Sequence, residues 1–289
     1  MEIFLLDLGQ PLEGIGASDR VRLAVSTALQ MEEINVDGFW VGEHHGEAAF
    51  SAPEVMISSI ASATSRLRVG SGGVLISIHS VYATAERFRL LSALFPNRIE
   101  IGVARGKPPD NLISQFGDFS NETYEQRVRG LRTALLESRS GPQPNDCQAP
   151  PIWLLGMGSR SASLAGELGV NYCHGLFLKG AEPLTAAYET YTRALPVGCN
   201  GCFGVAMSVA MSGEQPARIF AGTYARVNLT IDEDQVIENA MCLASGVVLS
   251  RTVFVSAAAS AKAYASIASH LPGVAATLGC FKSSAVTCK

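Results

Sequence analysis

The chain has 289 residues, 47% hydrophobic and 17% charged, with a net charge of −4 at pH 7. That is long enough for a large core and fits one α/β barrel domain spanning residues 1–289. It excludes a nucleic-acid surface, because the lysines and arginines are scattered rather than clustered.

The start, MEIFLLDLG, has no basic leader and runs straight into an apolar segment, so no secretory signal is expected. The most apolar stretch, 241–261, is interrupted by Arg251. A membrane span needs about 20 uninterrupted apolar residues, so this stretch reads as a buried strand and part of a helix. The seven cysteines are odd in number and irregularly spaced, which predicts free thiols in a reducing cytoplasm. Cys199 and Cys202 form a CxxC, but zinc needs two further ligands at matched spacing. The pair reads as a turn with two incidental thiols.

Strand-like and helix-like segments alternate along the chain. Residues 3–8 are an apolar run and a first strand. Ser18 or Asp19 can cap a helix that carries Val21, Ala24, Val25, Ala28 and Leu29 on one face. Residues 38–42 form a second strand, and Ser51-Ala-Pro-Glu54 has the capping-box pattern of a helix running toward Ser65. The third strand is 67–77, the next helix 81–95, and the fourth strand 99–104. A helix with Tyr124, Val128, Leu131 and Leu135 on one face follows, then a Gly- and Pro-rich loop at 138–151. Strand 152–155, helix 159–168, strand 172–178, a helix bearing Leu184, Ala187, Tyr188 and Tyr191, and strand 203–211 continue the rhythm. Beyond that, 216–227 reads as a helix, 247–255 as the eighth strand and 257–270 as a last helix. The segment 272–289 has no assignable pattern. Eight strands alternating with helices predict parallel pairing, right-handed crossovers and a closed (β/α)8 barrel.

Chemistry gathers at the C-terminal strand ends of such a barrel. Glu43, His44 and His45 follow the second strand. Histidine suits proton transfer near neutrality, and successive strand residues face opposite ways. One histidine can then face the mouth while its neighbour packs or is held by a carboxylate; both can also serve only as backbone hydrogen-bond partners. No metal site is expected, because adjacent strand residues diverge and no other ligand cluster is evident. Arg105, after the fourth strand, is placed to grip a phosphate or to form a surface ion pair. Gly156-Met-Gly-Ser-Arg-Ser161 opens a helix after the fifth strand. The N–H groups there, with the Ser159 and Ser161 hydroxyls and close backbone approach at Gly158, form an anion site or a simple helix cap. With Arg105 they make a phosphate pocket. Gly72-Gly73 marks a bulge, a close approach by a ligand or another backbone, or packing against a helix. His79 reads as the cap of the next helix rather than as a mouth residue.

Taken together, the segments WVGEHH, GSGGVLISIHS, RIEIGVARG after FPN, and PPIWLLGMGSRSASLAGELGV resemble the bacterial luciferase-like flavin-dependent monooxygenases. They occur in that family's order over about residues 1–195, while 196–289 is short and divergent. The resemblance implies a catalytic role for His44 beside a reduced flavin, where it handles protons, with Glu43 and His45 in the same cluster. It implies a non-prolyl cis peptide at Gly72-Gly73 beneath the flavin ring. It assigns the flavin phosphate to Arg105, Ser159, Ser161 and the backbone near Gly158. The implied cofactor is reduced FMN from a separate flavin reductase, used with O2 on a small organic substrate by a cytoplasmic homodimer paired through helices beside the second and third strands. No nucleic-acid or membrane partner is implied. Ala104 stands where light-emitting members carry a cysteine, so light emission on a long-chain aldehyde is not expected. Two other readings remain: an F420-dependent hydride-transfer oxidoreductase on the same barrel, and a non-catalytic flavin-binding or partner subunit.

Overall fold

The structure, a computed structural model, describes residues 1–46, 48–116, 121–136, 141–213, 218–220, 223–224, 229–232, 235–238, 247, 249–256, 262–267 and 269–270. Its frame is eight parallel strands: β1 Glu2–Asp7, β2 Gly38–Val41, β3 Arg68–Ser71, β4 Ile99–Ala104, β5 Ile152–Gly156, β6 Asn171–Gly175, β7 Phe203–Met211 and β8 Arg251–Ser256. Each pairs in parallel with the next, and β8 pairs with β1, from Glu2 opposite Arg251 to Leu6 opposite Val255. The sheet is therefore closed, as the alternation of elements predicts. Helices α1 Ala17–Glu33, α2 Pro53–Ala63, α3 Val81–Leu94, α4 Tyr124–Leu136, α5 Ser159–Glu167 and α6 Leu184–Ala194 lie on the outside. Among the described residues, no helix is long and apolar enough to cross a membrane.

Strand alternation makes two cores. Phe4, Leu6, Leu8, Trp40, Trp153, Ala206, Val253 and Val255 fill the barrel interior. Leu5, Phe39, Val69, Ile101, Leu154 and Phe254 face outward, among Ala28, Ile57, Phe88, Leu131 and Ala165 of the helices. Arg251, the residue that interrupts the apolar run, closes the N-terminal end of the barrel. Its guanidinium lies 3.7 Å from the Phe4 ring centroid and 4.1 Å from that of Trp153.

Several local expectations are corrected. Helix α1 begins at Ala17 with Gly16 as its N-cap, so Ser18 and Asp19 lie in the first turn. Its buried face is Arg20, Ala24, Thr27, Ala28 and Met31, which leaves Leu29 exposed. The face is rotated because Arg20 turns inward to meet the buried carboxylate of Asp7. Helix α2 is capped by the backbone of Ala52 with Pro53 in the first turn, and no side chain closes a capping box. The third strand is divided: β3 stops at Ser71, Gly72-Gly73 is a cis peptide, and Val74–Leu75 resumes pairing with β4 before a 3-10 turn at Ile76–Ile78. A Cβ on Gly73 would fall 2.9 Å from the Gly102 carbonyl, and one on Gly72 2.7 Å from Leu6 Cδ1. Close approach by neighbouring strands, not by a helix, requires glycine there.

The described part of 216–227 is not helical. Arg218–Phe220 pairs antiparallel with Thr223–Tyr224. Ile219, Phe220, Thr223 and Tyr224 are β-branched or aromatic and favour strands. Leu229–Asp232 adds in parallel to the far end of β7 and forms an antiparallel pair with Gln235–Glu238. After β8, residues 262–267 and 269–270 are helical, within the expected last helix. The segment 272–289, Cys242, Cys280 and Cys288 lie outside the described residues. Cys199 and Cys202 are free thiols, Cys199 exposed.

Candidate active site

The C-terminal end of β1 anchors the mouth. Asp7 is fully buried and accepts from Arg20 Nη1 at 3.0 Å, from the Gly9 N–H at 2.9 Å and from the Tyr264 hydroxyl. Burial and the Asp7 carboxylate push the Tyr264 phenol well above its ordinary pKa, so it stays a donor. Arg20 also donates to the Gln10 carbonyl at 3.0 Å. These contacts fix the chain through Leu8.

The Leu8 carbonyl accepts from His44 Nδ1 at 2.9 Å. A carbonyl only accepts, so Nδ1 carries the proton in the neutral ring and Nε2 is the acceptor. The backbone N–H of His44 is tied to the Phe50 carbonyl at 2.8 Å. Burial lowers the His44 pKa to about 4 against opposing contributions from the Leu8 hydrogen bond and the Glu43 charge, so the ring is neutral at pH 7.

Glu43 and His45 point elsewhere, as residues at a strand end alternate. The Glu43 carboxylate is buried; its Oε1 accepts from His45 Nε2 at 2.7 Å and from His79 Nε2 at 2.6 Å. Its Oε2 accepts the Leu75 N–H at 2.8 Å. Burial raises the carboxyl's pKa, but the His79 hydrogen bond and charge, the Leu75 N–H and the His45 bond outweigh it, and the net shift is downward. The anion is thus held by three donors. His45 also packs edge-on against Phe116, with ring centroids 4.7 Å apart.

This trio corrects two expectations. His79 is not the cap of α3; Ser80 is, accepting the Ala83 N–H at 3.3 Å. A ligand-type cluster also exists, since atoms of Glu43, His45 and His79 lie within 4.8 Å of one another. Its N···O separations of 2.6 and 2.7 Å are those of hydrogen bonds; ligand atoms about 2.0 Å from a tetrahedral zinc stand about 3.3 Å apart. The side chains are arranged to share protons.

On the other side of the mouth, Arg105 follows β4. It is exposed and makes no ion pair with another described residue. It lies in electrostatic reach of Tyr124 and Glu125 at the start of α4. Glu125 accepts from Arg160 of α5 at 2.6 Å. A hydrogen bond from its own backbone, that contact and the more distant Arg105 charge lower its pKa. Burial raises the pKa of Tyr124, whose buried hydroxyl has no hydrogen-bond partner. In the first turn of α5, Gly158 is the extended N-cap. The Ser161 hydroxyl donates back to the Gly158 carbonyl at 2.9 Å and lies 3.2 Å from Tyr172 Oη. Its proton is therefore engaged within the turn. The Ser159 N–H and hydroxyl both reach an anion, Glu182 Oε2, at 2.8 and 2.5 Å. This start of α5 binds a carboxylate, as exposed N–H groups and the helix dipole favour.

Tyr172, His174 and Glu182 were not singled out from sequence. Tyr172 and His174 alternate along β6 like core residues, and only the pairing of β5 with β6 brings them to Gly158.

A family model described as luciferase-like monooxygenase matches residues 1–198. The chain belongs to the luciferase-like monooxygenase family. It is 34% identical over 227 residues to the N-acetyl-S-alkylcysteine monooxygenase of Bacillus subtilis strain 168, covering 72% of this chain and 67% of that protein. It is 35% identical over 194 residues to YwcH of the same organism, covering 62% of this chain and 58% of YwcH. The chain thus spans little more than half of the length of that relative. The crystal structure of apo-MsnO8 has the same fold, with a TM-score of 0.72 over 94% of this chain and 98% of that one at 21% identity.

Proposed function

We propose that this luciferase-like monooxygenase uses reduced FMN and O2 to oxygenate a small organic substrate. The observation that carries the reading is the start of α5, whose Ser159 donors already hold a carboxylate and whose Arg160 pairs with Glu125 within electrostatic reach of Arg105. The residues present fit a flavin phosphate. Arg105 makes no ion pair among the described residues, the Tyr124 hydroxyl is buried without a partner, and the two donors of Ser159 already hold an exposed carboxylate. The Gly72-Gly73 backbone, which carries no side chain, would help to hold the ring. When bound, reduced FMN supplies the electrons that activate oxygen. The protein's part is orientation, water exclusion and proton control. His44 handles the proton through Nε2, and Glu43 positions His45 and His79. The N-acetyl-S-alkylcysteine monooxygenase relative supports a small-molecule substrate.

The deciding experiment is a titration with FMN, reduced FMN and F420, followed by rapid mixing of the reduced complex with oxygen. Reduced-FMN binding and oxygen uptake coupled to product support the reading. F420 binding with hydride transfer and no oxygen uptake would replace it. The phosphate contact has its own test. Arg105→Ala should weaken FMN about tenfold, the cost of one charge-assisted hydrogen-bonding group, and leave riboflavin unchanged. Equal weakening of both flavins would remove Arg105 from the phosphate site.

The reading includes a separate reductase and a homodimer paired through α2 and α3. Val55, Tyr82, Leu90 and Leu94 are all exposed on those helices. Sedimentation of the purified chain checks the pairing, with a monomer at micromolar concentration as the contrary result.

A further inference from the structure

Glu182 occupies both donors of Ser159 at the start of α5. Its backbone is pinned on both sides: its N–H donates to the Met157 carbonyl at 2.8 Å, and its carbonyl accepts from His174 Nε2 at 2.9 Å. Its side chain is exposed and lies across the first turn of α5, so close that a Cβ on Gly158 would fall 2.5 Å from Oε1. One oxygen, Oε2, takes both the N–H and the hydroxyl of Ser159. Those two hydrogen bonds lower the carboxyl's pKa, so it is ionised at neutral pH. No cation pairs with it among the described residues; the helix start is its counter-charge.

We propose that Glu182 is a specificity-determining residue that competes with the ligand's phosphate for the donors of Ser159. The inference rests on the phosphate-site reading above. A phosphate can reach the Ser159 N–H only when the Glu182 side chain rotates away. Because the carboxylate is exposed and its backbone is held independently, this needs a rotamer change and no movement of β6. The bound and displaced side chain form a two-state element, and the ligand's apparent affinity is scaled by the fraction of molecules in which the donors are open. The displaced anion also stays near the incoming dianion. Glu182 therefore weakens phosphate-bearing ligands selectively and leaves the phosphate-free flavin untouched.

The test compares wild type with Glu182→Gln, which keeps an acceptor for the Ser159 donors but removes the charge, and with Glu182→Lys, which reverses it. FMN, riboflavin and inorganic phosphate are titrated against each protein at low ionic strength. FMN and phosphate should bind about two- to fivefold more tightly to Glu182→Gln, the size of one exposed charge interaction, and more tightly still to Glu182→Lys. Riboflavin should be unchanged, and added salt should shrink the difference. Weaker FMN binding in both variants, or an equal change for FMN and riboflavin, would show Glu182 to be a helix cap only and overturn the proposal. The phosphate titration needs no flavin. If wild type binds neither flavin, the flavin reading fails, and tighter phosphate in Glu182→Gln still upholds Glu182 as the competitor while equal phosphate affinity rejects it.

Discussion

Replacing Arg251 by alanine should lower the unfolding free energy by about 3–5 kcal/mol, the cost of removing one partner from a buried ion pair. The guanidinium is 2% exposed and joins Glu100, itself 3% exposed, to Glu2. Its Nη2 is 2.9 Å from Glu100 Oε1, and Trp40 Nε1 donates to Glu100 Oε2 at 2.9 Å. Alanine would leave Glu100 inside the barrel with Arg68 at 3.5 Å as its remaining cation. It would also empty the space beneath Phe4, Trp40 and Trp153, which the guanidinium covers. The charge and packing contributions separate in a second protein. Arg251→Met with Glu100→Gln removes both charges and keeps most of the volume, so it should recover a large part of the loss. Urea unfolding of the three proteins at pH 7 measures this. A loss under about 1 kcal/mol in Arg251→Ala would mean that the barrel end is held by its aromatic rings alone.

Arg251 also shows what one chain of letters conveys. Its position inside an apolar run was visible and excluded a membrane span, but its partners Glu2 and Glu100 are 249 and 151 residues away. They meet only because β8 closes on β1. The eight strands themselves were legible, since each is a short apolar run bounded by polar or glycine residues, and the buried stripe of α4 contains the four residues its spacing predicts, with Arg127 buried beside them. The buried face of α1 differs from the one its apolar residues predict because Asp7 draws Arg20 into the interior. The stretch after β7 pairs as strands where a helix is predicted, because a short β-branched and aromatic run carries no period long enough to tell strand from helix.

The same division holds at the mouth. Residues adjacent in sequence, such as Glu43, His44 and His45, or Gly158 and Ser159, announced themselves. Their partners lie far along the chain: His79, which reads as a helix cap, reaches Glu43 across 36 residues, and Glu182, in the loop after β6, reaches Ser159 across 23. The barrel order implies that β2 pairs with β3, which sets the ends of these strands side by side and brings His79 to Glu43.

Under the proposed reading, His44→Ala should cut product formation by about 10²–10⁴-fold, the range for removing a general acid or base, while reduced FMN still binds. Its side chain is held by Leu8 and not by the groups assigned to the phosphate. The same substitution has a signature that needs no cofactor. His44 titrates at about 4 in the folded protein, below its ordinary 6.5, because burial disfavours the imidazolium. Between those values the unfolded chain binds more protons than the folded one. Stability therefore rises with pH across that window: the full contribution is present above about pH 6.5 and is lost as pH falls toward 4. The shift corresponds to about 3 kcal/mol at most. Urea unfolding from pH 7 to 4 should show this slope in wild type and a shallower one in His44→Ala. If the slopes match, burial does not hold His44 neutral in the folded protein. If the variant instead loses reduced-FMN binding along with activity, His44 belongs to the binding surface, and the proton-handling role passes to the cluster of Glu43, His45 and His79.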